Sequence, residues 1–256
     1  MIWVFLPAYN EEKALPVVAR KFRDVFARTG QDYRIVVLDD GSSDRTADVA
    51  LELSRQLPLT LIRHAKNMGL GPTMDDGLDH LARESADDDV IVTLDCDDTH
   101  EPSYTPDAIK RLAEGADVVI LSRYSEGGGE EGLSPLKSLL SRGAGLFLKV
   151  FFPIRGVREY SCGYRVMTAA ILKKAKRRFG ARFVHLKDLG FVATPEILIK
   201  FKMIGARIAE VPFRLRYDQK PTPSKNRPLR TIYGYFVLVA LFWGRRAPAD
   251  PAERAR

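Results

Sequence analysis

The chain has 256 residues, 45% of them hydrophobic, which is enough to build one large α/β domain or two small ones with a proper core. Its 40 basic and 33 acidic residues leave a net charge of +7. Two cysteines without metal spacing and four histidines without paired spacing argue against a disulfide scaffold and a zinc module, so a reducing cytoplasm is the expected compartment.

The first half of the chain alternates strand and helix patterns. Apolar runs predict strands at residues 2–6, 33–38, 59–63, 90–94 and 117–122, and helices between them, the first with Asn10 as its N-cap. Gly41 predicts a sharp turn after the second strand. Alternating strands and helices indicate an α/β fold with a mostly parallel sheet flanked by helices.

Acidic side chains follow two of these strands. Asp39 and Asp40 come after the second strand, and Asp95 and Asp97 follow the run 90–94. Asp95 and Asp97 are two residues apart, so on an extended path they point the same way and favour a shared cation. Carboxylate oxygens suit Mg²⁺ or Mn²⁺. The alternative is that these acids cap a helix or solvate a loop.

The second half is less regular. Glycine- and glutamate-rich residues 125–134 predict a mobile loop, either a lid or a linker. An apolar helix over 137–152 carries Lys137 and Ser141 on one face. We then expect a strand or turn at 162–167, helices at 169–178 and 194–204, an extended segment at 207–217 interrupted by Pro212, and a polar loop at 218–228.

Basic residues are concentrated in the second half, which suits phosphates, an anionic membrane surface or nucleic acid, or else a solvated helix face. The run 231–243 is apolar but shorter than the roughly 18 to 20 residues that span a bilayer. With arginines on both sides, residues 231–246 predict an interfacial or core-docked helix, followed by a disordered tail at 247–256. The apolar run 1–6 is too short for a signal peptide and indicates a first strand.

An ordered set of motifs resembles glycosyltransferase family 2, and within it the dolichol-phosphate or polyprenol-phosphate mannose synthase-like branch. The motifs lie at residues 6–11 (LPAYNE), 38–44 (LDDGSSD), 67–71 (NMGLG), 95–97 (DCD), 122–124 (SRY), 162–165 (CGYR), 210–212 (EVP) and 224–225 (SK). The resemblance implies a GT-A-type, Rossmann-like fold. Residues 1–124 would form the nucleotide-sugar-binding half and residues 125–230 the acceptor-side half of one domain, with a C-terminal helical portion.

The resemblance also implies residue roles. The donor would be bound by Pro7, Ala8, Tyr9, Glu11, Leu38, Asp39, Asp40, Asp95 and Cys96, with Asp40 preferred over its neighbour for the nucleoside. Asp95 and Asp97 would meet the metal and diphosphate, and Thr99 stands where such synthases often carry a glutamine ligand. Arg123, Lys137 and Ser141 would face the acceptor phosphate, with Asp97, Arg123 and Lys137 the catalytic set. Arg165, Arg216 and Lys225 are further candidates for the donor diphosphate or acceptor phosphate.

The chemistry favours a phosphate acceptor, because a phosphate is already anionic at neutral pH and arginine and lysine can position it without a base. We therefore expect an inverting, Mg²⁺- or Mn²⁺-dependent transfer of a hexose from GDP-mannose, or second from UDP-glucose, to a polyprenyl or dolichyl phosphate. The enzyme would be cytoplasmic, peripheral at the inner face of an anionic membrane, with no nucleic-acid partner. One alternative is transfer to a glycan or small-molecule hydroxyl with Glu196 as base, a residue otherwise interpreted as a helix-surface glutamate. Another is a non-catalytic nucleotide-sugar binder.

Overall fold

A computed structural model describes residues 1–221 and 228–249. The strands are β1 (Ile2–Ala8), β2 (Tyr33–Asp39), β3 (Leu59–Arg63), β4 (Val90–Thr93), β5 (Val118–Ser122), β6 (Gly129–Glu131), β7 (Arg165–Thr168), β8 (Ile208–Pro212) and β9 (Arg214–Arg216). The helices are α1 (Leu15–Thr29), α2 (Thr46–Ser54), α3 (Leu70–Glu84), α4 (Thr105–Ala113), α5 (Pro135–Phe151), α6 (Ala169–Phe179), α7 (Ala193–Met203) and α8 (Pro228–Phe242).

A seven-stranded sheet, counted over the described ranges, has the order β3-β2-β1-β4-β7-β5-β8. All neighbouring strands in it run parallel except β7, which is antiparallel to β4 and β5. The predicted α/β fold with a mostly parallel sheet is therefore confirmed. The strand order reverses direction at β1, between β2 and β4, and ligands of open α/β sheets bind outside the carboxyl ends of the strands at such a point.

The core lies on both faces of the sheet. In β1, Val4 and Leu6 join the apolar cluster that contains α1, whereas Trp3 and Phe5 join the cluster that contains α3. Successive side chains of a strand point to opposite faces, so a strand covered on both sides is apolar throughout. This explains the uninterrupted apolar runs in the sequence.

Two turns at the carboxyl end of the sheet are built by short polar residues. Gly41 has φ +64°, as the predicted sharp turn requires. Asn10 does not cap α1, which begins five residues later at Leu15. It instead adopts φ +52°, accepts a hydrogen bond from Ser43 N at 2.9 Å and donates its own N–H to Ser42 Oγ at 2.9 Å. The turns after β1 and β2 are thereby tied together.

The segment predicted as a mobile loop, 125–134, contains strand β6, which pairs in parallel with β9 in a second, two-stranded sheet of the described chain. The pairing links residues 129–131 to the segment after Pro212. Beyond β9, Arg216 N donates to Thr99 O at 2.9 Å, which brings residues 216–220 over the loop that follows β4.

The basic helix α6 uses most of its cations inside the molecule. Lys173 pairs with Asp87, Lys176 with Asp75 and Asp79, and Arg178 donates to Pro248 O at 2.7 Å. This run is therefore not an open phosphate-binding surface. Residues 250–256 of the predicted disordered tail lie outside the described residues. In the described part of the chain, no helix is both long and apolar enough to cross a membrane.

Candidate active site

Acidic residues gather at the carboxyl end of β4. Asp97 is 8% exposed; its Oδ1 accepts hydrogen bonds from Thr99 Oγ1 at 2.6 Å and Thr99 N at 3.2 Å, and its Oδ2 pairs with Lys220 Nζ. Asp95 lies against Gly163, where a Cβ atom would come within 3.2 Å of Asp95 Oδ1. The next acid, Asp98, has φ +61° and turns away to pair with Lys21 of α1.

The electrostatics of the two carboxylates differ. Burial raises the pKa of Asp95, and the neighbouring charge of Asp97 adds to the rise against the opposing effect of His100. Burial acts in the same direction on Asp97, but Lys220, His100 and the Thr99 hydrogen bond outweigh it and lower the pKa of Asp97. The ammonium group of Lys220 therefore pairs with and stabilises Asp97, and Asp95 has no such partner among the described ion pairs.

Such oxygen donors with excess negative charge fit a hard divalent cation such as Mg²⁺ or Mn²⁺. Asp95 and Asp97 are the residues that would hold it. Thr99, predicted as a third ligand, instead donates its hydroxyl to Asp97, because the backbone turn sets the two side chains side by side. In this structure Thr99 orients Asp97.

A second acidic cluster consists of Asp75, Asp76 and Asp79 on α3, whose ligand atoms lie within 4.8 Å of one another. Lys176 pairs with Asp75 and Asp79, and Lys187 also pairs with Asp75. Two ammonium groups offset two of the three carboxylates and leave one net negative charge, and both oxygens of the buried Asp75 are paired with lysine.

The two carboxylates after β2 have different roles. Asp40 accepts hydrogen bonds from Met68 N and Gly69 N, each at 2.8 Å, and lies 2.8 Å from His64 Nδ1, so both of its oxygens hold the 67–69 loop. Asp39 Oδ1 accepts from Ser42 N at 3.0 Å, while its buried Oδ2 accepts no hydrogen bond among the described residues and lies 3.2 Å from Arg63 Nε. The structure thus engages both oxygens of Asp40 and leaves one oxygen of Asp39 with an ion pair alone, and the preference for Asp40 at a nucleoside stays a prediction.

The segment after β1 forms another wall of the site. Ala8 O accepts a hydrogen bond from Asp40 N at 2.8 Å, and Glu11, 5% exposed, donates its N–H to Thr46 Oγ1 at 2.8 Å. Pro7 and Tyr9, on either side of Ala8, are half-buried. Among the other predicted donor-binding residues, the side chains of Leu38 and Cys96 belong to the apolar core. Both residues are fully or almost fully buried, so their side chains are not available to a ligand.

Arg123, at the end of β5, is held by acids that sequence reasoning missed. Its Nε and Nη2 donate to the buried Glu159 at 2.8 and 2.9 Å, and Nη1 lies 3.4 Å from Glu130 Oε1. Burial would lower the pKa of Arg123, but Glu159 outweighs it and raises that pKa. Sequence chemistry gives only the general expectation that a buried arginine has a nearby acid, and it does not identify Glu159.

Of the predicted acceptor residues, the structure brings Arg123 and Ser141 together. Arg123 Nη2 lies 3.3 Å from Ser141 Oγ, which also accepts a hydrogen bond from Tyr124 at 3.0 Å. Lys137 lies one turn earlier on α5, is exposed, and donates to Tyr217 Oη at 3.3 Å. Lys137 has no described contact with Arg123 or Ser141.

Two of the three remaining predicted cations are engaged by other groups of the protein. Arg165 is buried in β7 and donates to Thr194 O at 2.7 Å and Tyr160 O at 3.0 Å; burial lowers its pKa to about 10. Arg216 pairs with Asp218 at 2.8 Å and with Glu131 at 3.2 Å. Lys225 lies outside the described residues.

Lys220, which sequence reasoning missed, is the cation that reaches Asp97. It follows Arg216 by four residues, and its Nζ pairs with Asp97 Oδ2. No local sequence pattern marked Lys220, because its pairing with Asp97 joins positions 123 residues apart in the chain.

Glu196 is not the predicted surface glutamate. Its carboxylate is fully buried, accepts hydrogen bonds from His185 N at 2.8 Å and Leu186 N at 2.9 Å, and pairs with Lys200. These contacts use both carboxylate oxygens. Glu196 therefore stabilises the protein and is not placed to act as a base.

Comparisons with known proteins agree with this architecture. The family model "Glycosyl transferase family 2" matches residues 3–176. A dolichol-phosphate mannosyltransferase of Pyrococcus furiosus is 33% identical over 211 residues, covering 82% of this chain and 55% of the relative. A dolichyl-phosphate beta-glucosyltransferase of Trichomonas vaginalis is 26% identical, covering 81% of this chain and 63% of the relative. The chain thus spans roughly three-fifths of the length of these relatives.

Solved structures show the same fold. Glucosyl-3-phosphoglycerate synthase of Mycobacterium tuberculosis, in complex with phosphoglyceric acid, superimposes with a TM-score of 0.61 at 20% identity, covering 94% of this chain and 80% of the other. The same enzyme with Mn²⁺, UDP-glucose and phosphoglyceric acid gives 0.60 at 18% identity, with the same coverage. Together with the family match over most of its length, this likeness means that the chain belongs to glycosyl transferase family 2.

Proposed function

We propose that the chain is an inverting glycosyltransferase that moves a hexose from a nucleotide sugar to a polyprenyl or dolichyl phosphate. The observation that carries the proposal is the arrangement of Asp95 and Asp97 after β4 with Arg123, which follows β5, and Ser141 on α5. The two parts meet through residues 159–163: Glu159, which holds Arg123, accepts a hydrogen bond from Cys162 N at 3.1 Å, and Asp95 lies against Gly163. One continuous polar region thus offers carboxylates for a metal–diphosphate and a guanidinium for a second anion.

The proposal of a nucleotide-sugar donor rests on the activities named for two relatives and on Asp95 and Asp97. One relative is a dolichol-phosphate mannosyltransferase and another a dolichyl-phosphate beta-glucosyltransferase, so GDP-mannose is the first candidate and UDP-glucose the second. Structural neighbours with Mn²⁺ and UDP-glucose support a divalent metal. When bound by Asp95 and Asp97, it would stabilise the charge that develops on the leaving nucleoside diphosphate.

The proposal of a phosphate acceptor rests on Glu196, which was the one candidate base in the sequence. In the structure its carboxylate is not available to remove a proton. A hydroxyl acceptor needs a base to remove its proton, but Glu196 is buried against Lys200. A phosphate acceptor needs only to be positioned beside the anomeric carbon, which Arg123 and Ser141 can do by hydrogen bonding. Lys137 would join them by moving from Tyr217.

An apolar surface beside this region supports a membrane-bound acceptor. It is formed by exposed side chains of α5 and α8, the α5–α8 face: Leu136, Leu139, Leu146, Val150, Ile232, Tyr233, Phe236 and the adjacent Trp243. Phe147 and Phe236 join the two helices, with ring centroids 5.1 Å apart. Arg142, Lys149, Arg230 and Arg245 are exposed along the same helices and their ends. Apolar side chains among cations suit the surface of an anionic membrane, here the cytoplasmic face.

The proposal is tested by incubating the purified chain with Mn²⁺, a short polyprenyl phosphate and either GDP-mannose or UDP-glucose. We expect glycosyl transfer to the lipid phosphate with one donor. Asp97→Asn and Arg123→Met should each lower kcat/KM by roughly a hundredfold or more, because each removes charge stabilisation at the reacting groups. Asp98→Asn is the matched control, because Asp98 pairs with Lys21 and should leave the rate within about threefold of wild type.

Two other outcomes distinguish the alternatives. Transfer to a glycan or an alcohol, with none to polyprenyl phosphate, would identify a hydroxyl-directed enzyme. Donor binding without transfer or donor hydrolysis would identify a nucleotide-sugar binder. Either result contradicts the proposal.

A further inference from the structure

Lys220 lies where the acidic site would otherwise receive a metal cation. Thr99 occupies Asp97 Oδ1, and Lys220 Nζ pairs with the remaining oxygen, Oδ2. The two side chains of this ion pair are 13% and 12% exposed, so water screens it only in part. The ammonium group thus uses the carboxylate oxygen that a divalent ion would bind.

The backbone around Lys220 defines its position. Arg216 N donates to Thr99 O at 2.9 Å, which fixes the entry to the segment, and Lys220 N donates to Tyr217 O at 3.4 Å, which closes a tight turn. The ring of Tyr217 lies between two lysines: Lys220 Nζ is 5.7 Å and Lys137 Nζ 4.9 Å from its centroid. Of these two lysines, Lys220 pairs with Asp97, whereas Lys137 bonds to the tyrosine hydroxyl.

The balance of charge indicates what this arrangement does. Asp95, Asp97 and Lys220 carry one net negative charge between them, and a divalent cation added beside Lys220 would leave these four groups with one net positive charge. Like charges at this separation repel strongly where water is scarce. A bound diphosphate would add negative charge, so the net charge of the site would again be negative. The ammonium group of Lys220 could then pair with the diphosphate.

We propose that Lys220 is an exchangeable counter-ion: it competes with the divalent metal for Asp97 in the free protein and moves to the diphosphate when metal and nucleotide bind together. The identity of the diphosphate ligand rests on the proposed function, whereas the competition at Asp97 does not. Metal binding is therefore weak without nucleotide and strong with it. Since coupling between two ligands is reciprocal, the nucleotide in turn binds weakly without the metal.

The test is a titration of free Mn²⁺, followed by electron paramagnetic resonance, on wild type and Lys220→Met. The probes are Mn²⁺ alone and Mn²⁺ with saturating GDP or UDP. The substitution should have effects of opposite sign. Without nucleotide it should tighten Mn²⁺ binding roughly tenfold, because the competing charge is gone, and with nucleotide it should weaken Mn²⁺ binding roughly tenfold, because the diphosphate loses a cation.

Lys137→Met is the matched control, since it removes the same charge beside the same tyrosine ring without touching Asp97. It should leave Mn²⁺ binding at the wild-type value, and Lys220→Arg, which keeps the cation, should also resemble wild type. Thermal melts of every variant confirm that each is folded.

Three results would overturn the inference: unchanged Mn²⁺ binding without nucleotide in Lys220→Met, tighter binding in both states, or an equal effect of Lys137→Met. None of these measurements requires transfer. An inactive chain that still showed the two opposite shifts would contradict the proposed function alone.

Discussion

Glu196 and Lys200 form a buried pair whose loss should affect folding and not chemistry. Glu196 is fully buried and Lys200 is 1% exposed. Burial lowers the pKa of Lys200 despite the raising effect of Glu196, as expected of an ammonium group held away from water. Replacing the acid would leave that ammonium without its charged partner.

We expect Glu196→Gln to lower the free energy of unfolding by about 3 kcal/mol, the usual cost of removing one partner from a buried ion pair. Urea unfolding measures this loss. Transfer per folded molecule, measured well below the unfolding midpoint, should stay within about threefold of wild type if Glu196 has no part in proton transfer. A large drop in kcat with unchanged stability would instead assign it the role of base.

The matched control is Glu131→Gln, which disrupts exposed pairs with Arg214 and Arg216. Exposed pairs contribute little, so its free energy of unfolding should change by under about 1 kcal/mol. Comparing the two substitutions shows how much burial adds to the loss of unfolding free energy when an ion pair is broken.

For single residues, the sequence predicts a position in the site when the residues next to it in the chain determine that position. Asp95 and Asp97 follow an apolar run directly, so their place at the end of β4 follows from the pattern. Lys220 and Glu159 are 123 and 36 residues away from their partners Asp97 and Arg123. No local pattern encodes such pairings, because they depend on where surface segments cross the site.

Helix α3 contains a glycine that its packing requires. Gly77 faces the fully buried ring of Phe5 in β1, and a Cβ at this position would lie 2.0 Å from Phe5 Cζ. Gly143 in α5 has no atom within 4 Å of the same added carbon. Two helical glycines therefore differ only in what faces them.

Gly77→Ala and Gly143→Ala should shift stability in opposite directions. Alanine is favoured over glycine in a helix by about 1 kcal/mol, so Gly143→Ala should gain up to that amount. Gly77→Ala should lose about 1 to 3 kcal/mol, because overpacking against Phe5 outweighs propensity. Urea unfolding midpoints of the two variants against wild type measure both effects. A stabilised Gly77→Ala would show that α3 can move away from β1.

The helices and strands that the sequence predicted well are those in which apolar residues recur regularly along the chain. Strands β1 to β5 lie within a few residues of their predicted positions, and helices α1 to α4 lie between them as predicted, because both faces of the sheet are covered by apolar side chains. Strand β6 was predicted as loop, because its Gly-Glu-Glu sequence is stabilised only by its pairing with β9. The antiparallel direction of β7 likewise depends on the path of the chain and not on its composition.

For the whole molecule, the α5–α8 face predicts how the protein meets a membrane. Leu139 and Leu146 of α5 are 68% and 65% exposed. They are seven residues apart and so lie on one side of the helix. Burying a leucine contributes about 1.5 to 3 kcal/mol.

We expect the wild-type protein to sediment with vesicles that contain anionic lipid, less so at high salt. The double substitution Leu139→Glu with Leu146→Glu should weaken this binding by about tenfold or more. Leu51→Glu on α2, a leucine 51% exposed away from this face, is the matched control and should bind as wild type does. Equal binding by all three proteins would exclude the α5–α8 face as the membrane-contacting surface.

The position of β7 has a consequence for how the protein is made. In the described chain β5 pairs with β7 and β8, both of which come later in the sequence, and has no hydrogen-bonded neighbour among β1 to β4. During synthesis, β1 to β4 can assemble as soon as they leave the ribosome, but β5 must wait for about 45 further residues until β7 is available. In that interval an apolar strand has its edges open, which makes the nascent chain most prone to aggregation between the synthesis of β5 and that of β7.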